Sequence, residues 1–599
     1  MKNRFRNFRK LAKTVCAAAA AAALHTPCAQ AAFGDSVYLV YLNPFKVQEQ
    51  EVLARRAGYV PPAIPAVVEK SEQEKYILGN IDRFLRSPGV DAVRQSLVRD
   101  FSLSDVEEKP LGIPAFTARL NARELRALEL SDQVVSVTRV YPDRQAAEFS
   151  GWSDYKDWNE IVPWGKQAVG ADDDITVSDT RFFLVDSHIN SRAMANEINL
   201  ISTDSKPDDY HGHAAAVLSV AVAKRNNYGV RGINPGQPVV HLGLSSLSDI
   251  DMIMGIARIA SIAEWMGQFA TLNLSFNKLS WDLESSVFRH DGVVGKVVRR
   301  ASGRLFVTQS AGNNDSNACL ASFGYEGAAR ANDGIMVVGG TDQSGGRYPQ
   351  PTNSCDFDSK SRSNYGSCVE AWAPGWKMSI MNERGIINGY DEKVCSTTGT
   401  SFAAPIVAAI AARYGDASTR PIEREAYIRN SLVFTGHHEN APDSNLPIMQ
   451  VRYSPFNRHN IPQRLPVSGV FSKTHTENLD SLIDEKFYGG IHWNAHGGWG
   501  SVVLDLGTRR NITGVRVMIR SSADGGMLNF AVHGGNSLIN LGARRAEIPP
   551  NPIAYLNTTD QFDLTPYYIP VGGNYRYVMI EAANMASWLS YSEVEVYGY

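Results

Sequence analysis

The chain has 599 residues, 44% hydrophobic and 20% charged, and its 59 basic and 62 acidic side chains leave a net charge of −3. That length exceeds what one hydrophobic core organises and points to two or three domains. The near-neutral balance gives no field that would favour nucleic acid or an anionic membrane as partner.

The N-terminus is basic, with Lys2, Arg4, Arg6, Arg9, Lys10 and Lys13, and runs into a mostly alanine apolar stretch at 15–24. Ala29-Gln30-Ala31 then supplies a small-x-small cleavage pattern. Together these read as a secretory signal peptide over 1–31. The apolar stretch is too short and too alanine-rich for a membrane span, and no later run of about 18 apolar residues takes that role. His25-Thr26-Pro27 before Cys28 does not suit a lipidation signal. Secretion places the remaining cysteines, Cys319, Cys355, Cys368 and Cys395, in an oxidising compartment. An even number there implies two disulfides, and no C-x-x-C pair suggests zinc.

Residues 36–45, "SVYLVYLNPF", predict a strand, and helical material follows near 71–105. Phe116, Ala118 and Leu120 alternate as in a half-buried strand. Asn121 and Glu124 have the spacing of a helix capping box. Leu125 and Leu128 give that helix its apolar side, and Val135 and Val137 open another strand. A βαβ pattern before Arg144 therefore forms a small domain of its own.

From about 150 to 440 short apolar strands alternate with helices. The strands are predicted at 181–187, 239–245, 270–276, 304–312 and 334–340, with helices at 213–224 and 249–266 among them. This alternation argues an α/β fold with a parallel sheet covered on both faces. Sites in such sheets form beyond the C-terminal ends of strands. The composition at 441–469 turns to His, Asn, Pro and Arg and reads as a linker. Beyond it, period-two alternation at 499–507, 512–520, 527–534, 575–582 and 592–599 predicts a β-sandwich over 470–599.

The chemistry lies at strand ends and helix starts. Asp186 follows "FFLV", His211 opens "HGHAAAVLSV", and Ser401 stands in "TTGTSFAAPIVAAIAARY" at the start of an alanine-rich helix. Unpaired N–H groups at that helix start favour negative charge, as an oxyanion needs. A serine nucleophile needs a base, histidine serves near neutral pH, and a carboxylate holds the imidazole in the correct tautomer. Asp, His and Ser follow in that order, separated by 25 and 190 residues. Taken singly they read as a turn former, a surface residue at a helix start and a helix cap. Asn313, after Ala311 and Gly312 in "QSAGNND", is placed to supply an amide donor to the oxyanion, beside the Ser401 N–H.

These motifs resemble those of the subtilisin-like serine proteases, the subtilases. Residues 399–405 resemble the nucleophile motif, 211–213 the histidine motif, 184–189 the aspartate motif and 310–314 the oxyanion asparagine motif. The resemblance, continuous over about 150–440, implies a subtilisin-like three-layer α/β fold and a secreted serine endopeptidase acting on polypeptides. It implies catalytic Asp186, His211 and Ser401, with Asn313 in the oxyanion hole. Ser275, Phe276, Asn277, Ser310, Ala311 and Gly312 would line the substrate cleft. His213, two residues past His211, is expected to face elsewhere and to have no role. Residues 32–148 resemble the family's inhibitory propeptide, so the protein is expected as a zymogen, its propeptide a partner of the catalytic domain at 149–440. The tail resembles a galactose-binding or discoidin-type sandwich, and implies a glycan or cell-surface ligand. Tyr488, His492, Trp493, Trp499 and Trp588, with Asp484 or His496, are its candidate contacts. The resemblance pairs Cys319 with Cys368, leaving Cys355 for Cys395.

No cofactor is required for this chemistry and no metal ligand is assigned. Calcium is common in the family, and "ADDD" at 171–174 is only suggestive of a site. Asn277 stands where the family usually has glycine and should narrow or polarise the pocket. The alternatives are a secreted binding protein on a catalytically weak protease scaffold, which the intact four-residue site disfavours, and a secreted esterase. The esterase class would show G-x-S-x-G and the order Ser, Asp, His, and this chain has neither.

Overall fold

The computed structural model of the chain describes residues 37–42, 44–62, 80, 83, 86–103, 105–106, 115–129, 131–140, 152–153, 161–171, 180–203, 212–226, 229–289, 292–323, 332–348, 362–381, 394–437, 446–453, 461–472, 478–487, 493–495, 499–521, 528–538, 552–558, 565–584 and 589–599. The signal-peptide reading over 1–31, His211, Cys355, Tyr488, His492, His496 and Trp588 fall outside them.

The first unit is a four-stranded sheet of β1 (Val37–Leu42), β2 (Asp105–Val106), β3 (Ala115–Arg119) and β4 (Val134–Val140), in the order β2-β3-β1-β4. β1 runs antiparallel to both β3 and β4. The helix Ala122–Glu129 therefore makes a crossover between two strands that flank β1, a split βαβ unit. Its start is the capping box expected from Asn121 and Glu124: Asn121 Oδ1 accepts from Glu124 N at 3.0 Å, and Glu124 Oε2 accepts from Asn121 N at 2.8 Å. Tyr38, Val40, Leu42, Phe116, Ala118 and Leu120 build its core with Val93 and Leu97 of the helix Pro88–Phe101. Period two predicts solvent at Ala115 and Thr117, yet both are buried. Ala115 joins the apolar cluster that holds Ile253 and Ile256 of the helix Asp249–Trp265, which belongs to the next unit. The second face of β3 is covered by tertiary packing that strand periodicity does not reveal.

After β5 (Trp152–Ser153), a nine-stranded sheet contains β6 (Phe182–Ser187), β7 (Leu200–Thr203), β8 (Val239–Leu244), β9 (Ala270–Leu274), β10 (Leu305–Ser310), β11 (Ile335–Thr341) and β12 (Ala371–Pro374). β13 (Val394–Ser396) pairs with β5 outside it. β14 (Leu432–His437) and β15 (Pro447–Val451) complete the order β14-β15-β12-β11-β10-β9-β6-β8-β7. Every pairing from β7 to β15 is parallel, and β14 alone runs antiparallel, on β15. Nearly every residue of β6 and of β8 to β12 is buried because helices cover both faces, among them His213–Val222 and Thr400–Ala412 in one apolar cluster and Asp249–Trp265 and Val293–Ala301 in the other.

Residues 441–469 are not a linker throughout. β15 inserts between β14 and β12, and Val451, Tyr453 and Ile461 belong to the core. The His- and Asn-rich surroundings mask the short apolar run "LPIMQV", whose partners are remote in sequence.

The C-terminal strands are β16 (Gln463–Arg464), β17 (Gly469–Ser472), β18 (Trp493–Ala495), β19 (Trp499–Ser521), β20 (Leu528–Gly535), β21 (Ala554–Thr558), β22 (Thr565–Asn584) and β23 (Leu589–Gly598). Their β-rich arrangement encloses one core that includes Leu504, Val515, Val517, Phe530, Ile580 and Val596. The segments expected as separate strands at 499–507 and 512–520 are one strand, β19. Its pairing with β22 shifts register between Asp505 and Arg510 and again between Ile512 and Gly514. Bulges of this kind bend long strands around a core.

This unit meets the nine-stranded sheet at the N-terminal ends of its strands. Arg304, just before β10, binds Glu264 at 2.7 Å and the Glu485 carbonyl at 2.6 Å. Arg516 of β19 donates to Ser302 O at 2.7 Å and approaches Glu595 at 3.3 Å. Arg420 reaches Glu485 at 2.5 Å and Glu595 at 3.3 Å, and Arg464 stands 3.7 Å from Glu595. Phe269, before β9, packs edge-on against Phe487 of the C-terminal unit, with Met518 buried beside them. Glu595 is held below the usual carboxylate range by these arginines against the cost of burial, whereas burial and the neighbouring Glu595 push Glu593 up.

A second buried charge cluster lies at the start of β11 and β12. Arg429 binds Glu425 at 2.6 Å and Glu370 at 2.8 Å, and contributes to the electrostatics of Asp333. One guanidinium shared by three carboxylates is held in its charged form, but it cannot compensate all three. Burial and mutual repulsion prevail on the acids: Glu425 is pushed up to about 8, and Glu370 and Asp333 also rise. A carboxyl raised on folding binds more protons in the folded state. Its contribution is full below the unfolded value of 4.5 and is lost as pH rises through about 8 for Glu425. Stability to urea should therefore fall between about pH 5 and pH 8 at up to about 1.4 kcal/mol per pH unit per proton. Glu425→Gln, which keeps an acceptor for the Gly334 N–H, should flatten that slope. An unchanged slope in the variant would remove Glu425 as its source.

Candidate active site

Asp186 is the fifth residue of β6 and is 2% exposed. Its Oδ1 accepts the backbone N–H of Ser187 at 2.7 Å and meets Nδ1 of His213 at 2.6 Å. His213 therefore does not face elsewhere; it is the histidine brought to Asp186. The reason is where the helix starts. Gly212 caps it in the left-handed region at φ 69°, and His213 is its first residue. As the first residue of a helix that starts beside the end of β6, His213 carries its ring to Asp186. Ser187 fixes the helix start by accepting from Ala214 N at 3.1 Å, and the Ser187 carbonyl accepts from His241 Nε2 at 2.9 Å. The sequence held a signal for this register: the apolar run of residues 214–218 begins directly after His213.

Ser401 is the second residue of the helix Thr400–Ala412, after Gly399 as N-cap. The His213 ring lies 6.3 Å, centroid to centroid, from the ring of Phe402, the residue after Ser401. Ser401 Oγ donates to the carbonyl of Ser275 at 3.1 Å, and Ser275 Oγ donates to the carbonyl of Ser401 at 2.7 Å. This reciprocal pair seats the helix start on the end of β9. Beneath it, Asn273 Nδ2 donates to Ser275 Oγ at 2.8 Å, and Thr308 Oγ1 donates to Asn273 Oδ1 at 3.1 Å. Neither Asn273 nor Thr308 was legible as part of the site, because nothing local distinguishes them from the other polar residues of β9 and β10.

Asn313 follows β10. Its Oδ1 accepts from Thr400 N at 2.9 Å, Thr400 Oγ1 at 2.8 Å and the Tyr348 hydroxyl at 2.8 Å. Its Nδ2 lies near Gly399, 3.4 Å from where a side-chain carbon at that glycine would stand. Gly312, before it, has φ +105°, and a Cβ there would meet Asn364 Nδ2 at 2.4 Å. Asn364 in turn donates to the Ala311 carbonyl at 2.8 Å and accepts from Asn314 N at 2.9 Å, holding the loop.

The six cleft residues read from the sequence divide by placement. Asn277 Nδ2 donates to Ser310 Oγ at 3.2 Å, bridging the segments after β9 and β10. Phe276 turns into the core against Phe288, and Ala311 is wholly buried, so neither exposes its side chain. Cys319 and Cys368 form a disulfide with Cα atoms 5.4 Å apart. Cys355, and with it the Cys355–Cys395 pairing, lies outside the described residues. Among the described residues no group of three or more His, Cys, Asp or Glu side chains is arranged to hold a metal, and no helix is long and apolar enough to cross a membrane.

The sequence model of the subtilase family matches residues 117–445, more than half of the chain. No curated protein matches it. Among solved structures, a cold-adapted subtilisin-like serine proteinase aligns at 18% identity over 50% of this chain and 99% of its own, with a TM-score of 0.34. The CBM32 of AlyQ, solved in complex with 4,5-unsaturated mannuronic acid, aligns at 19% identity over 22% of this chain and 97% of its own, with a TM-score of 0.19.

Proposed function

The chain belongs to the subtilase family of serine endopeptidases, and from that premise we propose that it cleaves polypeptides through Asp186, His213 and Ser401, with Asn313 and the Ser401 N–H holding the oxyanion. One observation carries the assignment: the 2.6 Å contact between Asp186 Oδ1 and His213 Nδ1 at the end of a parallel strand, beside the helix that bears Ser401. In this reading Asp186 fixes the tautomer, so that Nδ1 carries the proton and Nε2 is the base. The Ser401 hydroxyl rotates from the Ser275 carbonyl toward Nε2 and gives up its proton as Oγ attacks the scissile carbonyl. The imidazolium then protonates the leaving amine, and water repeats the sequence to release the acyl group. The charge that develops on the carbonyl oxygen meets Asn313 Nδ2 and the Ser401 N–H, whose place at a helix start adds the favourable end of the backbone dipoles.

The same reading makes 32–148 an inhibitory propeptide and the protein a secreted zymogen. The basic, apolar, small-residue order of 1–31 supports secretion, and the shared cluster at Ala115 supports a docked N-terminal unit. For the C-terminal unit we propose a glycan or cell-surface ligand, on the strength of its aromatic-rich loop sequences. Ser401→Ala should abolish peptide hydrolysis and retain the N-terminal unit, whereas the parent protein should lose residues 32–148 on activation, read by mass spectrometry. Loss of that unit from purified Ser401→Ala, without added protease, contradicts self-processing.

A further inference from the structure

We infer that Tyr348 is a positioning residue for the oxyanion donor Asn313, an inference that rests on the catalytic reading above. Tyr348 is fully buried, and its hydroxyl lies 2.8 Å from Asn313 Oδ1. The direction of that bond is fixed by the rest of the network. The Thr400 N–H can only donate, so the atom it meets at 2.9 Å is the amide oxygen. The Thr400 hydroxyl accepts from Gly312 N at 3.0 Å, which leaves its own proton for Asn313 Oδ1 at 2.8 Å. The phenol is the third donor to the same oxygen. The side-chain amide is thereby held with its oxygen inward and its NH2 toward Gly399 and the start of the Ser401 helix.

The ring is placed for this contact. Gly340 has no side chain to obstruct it: a Cβ there would stand 2.3 Å from the Tyr348 ring. Trp376 stacks on the ring at 6.2 Å and 24°. The Trp376 carbonyl accepts from Trp164 Nε1 at 3.0 Å, which anchors the stacking partner. Two consequences follow for catalysis. The amide cannot flip without losing donors, so its N–H groups are oriented before substrate arrives. Hydrogen bonds accepted by an amide oxygen also draw electron density from its nitrogen, which strengthens the N–H as a donor to developing negative charge. Both effects act on the transition state rather than on ground-state binding.

Tyr348→Phe removes the hydroxyl and keeps the ring. It should lower kcat for a peptide substrate about tenfold, the equivalent of one typical net hydrogen bond, with KM within about twofold. Affinity for a peptide boronic acid should fall by the same factor as kcat/KM. The discriminating measurement is the same substitution in an Asn313→Ala background, where it should change kcat by less than about twofold, since coupled residues do not add. A purely structural tyrosine would produce its full effect in both backgrounds, or move KM and the melting temperature instead, and either result overturns the inference. If the phenylalanine variant does not fold, Tyr348→Leu in the two backgrounds carries the same expectation. Labelling of Ser401 by a fluorophosphonate separates the two levels of the argument. An unlabelled parent protein removes the catalytic reading itself, whereas a labelled parent with an additive Tyr348 effect removes only the role of Tyr348.

Discussion

His213→Ala should lower kcat for peptide hydrolysis by about a million-fold, the scale on which removing the histidine disables the triad of a subtilisin. His211→Ala should leave it close to the parent value. The first effect is large because Ser401 has no useful nucleophilicity until a base takes its proton, and because serine and histidine act as one unit. The pair of variants is decisive because the two histidines stand two residues apart in "HGHAAAV" and the described contact with the carboxylate is made by His213. Fluorophosphonate labelling and circular dichroism should accompany the rates: a folded His213→Ala that no longer labels fits a lost base, whereas a misfolded one does not. Full activity in His213→Ala with loss in His211→Ala would return the assignment to the register first read from the motif.

Glu595→Gln should destabilise the whole protein by about 3–5 kcal/mol, although the residue lies in the C-terminal unit and far from the catalytic centre in sequence. Glu595 is 1% exposed, with Arg420 and Arg516 each 3.3 Å away and Arg464 at 3.7 Å. Removing the carboxylate takes the ion-pair partner from buried Arg516 and leaves Arg420, which belongs to the catalytic unit, with Glu485 as its remaining counter-charge. For the same reason, a chain ending near residue 455 should lose thermal stability and yield of active enzyme, since Phe269, Arg304 and Arg420 all lose partners at the base of the sheet. The period-two pattern of the tail suggests a separable module that short-peptide hydrolysis does not need. The packing argues against separability while leaving chemistry in place: what is lost is the folded catalytic unit, not a catalytic group. Urea unfolding of Glu595→Gln with a single transition shifted to lower denaturant is the expected result. Two transitions, with only the later unit affected, would restore the separable module.

The sequence by itself determined β6, β8, β9, β10 and β11 of the catalytic unit and the helices that start near residues 213, 249 and 400, because buried parallel strands are short apolar runs and their covering helices are rich in apolar residues. It determined Asp186, Ser401 and Asn313 as candidates, since each follows a strand or opens a helix where backbone geometry exposes it. The capping box at Asn121 and the Cys319–Cys368 bridge were legible for similar local or motif-level reasons. Tertiary structure alone decided the rest. That His213 meets Asp186 depends on the residue at which its helix begins, which only the packed structure fixes. Tyr348, Asn273 and Thr308 enter the site only through contacts between remote strands and loops, so no local pattern marks them. The place of β15 in the sheet and the union of the C-terminal strands with its base have the same origin. Each depends on groups far apart in sequence, 78 residues for Trp372 and Gln450 and 214 for Ser302 and Arg516, whose burial is favourable only when they meet.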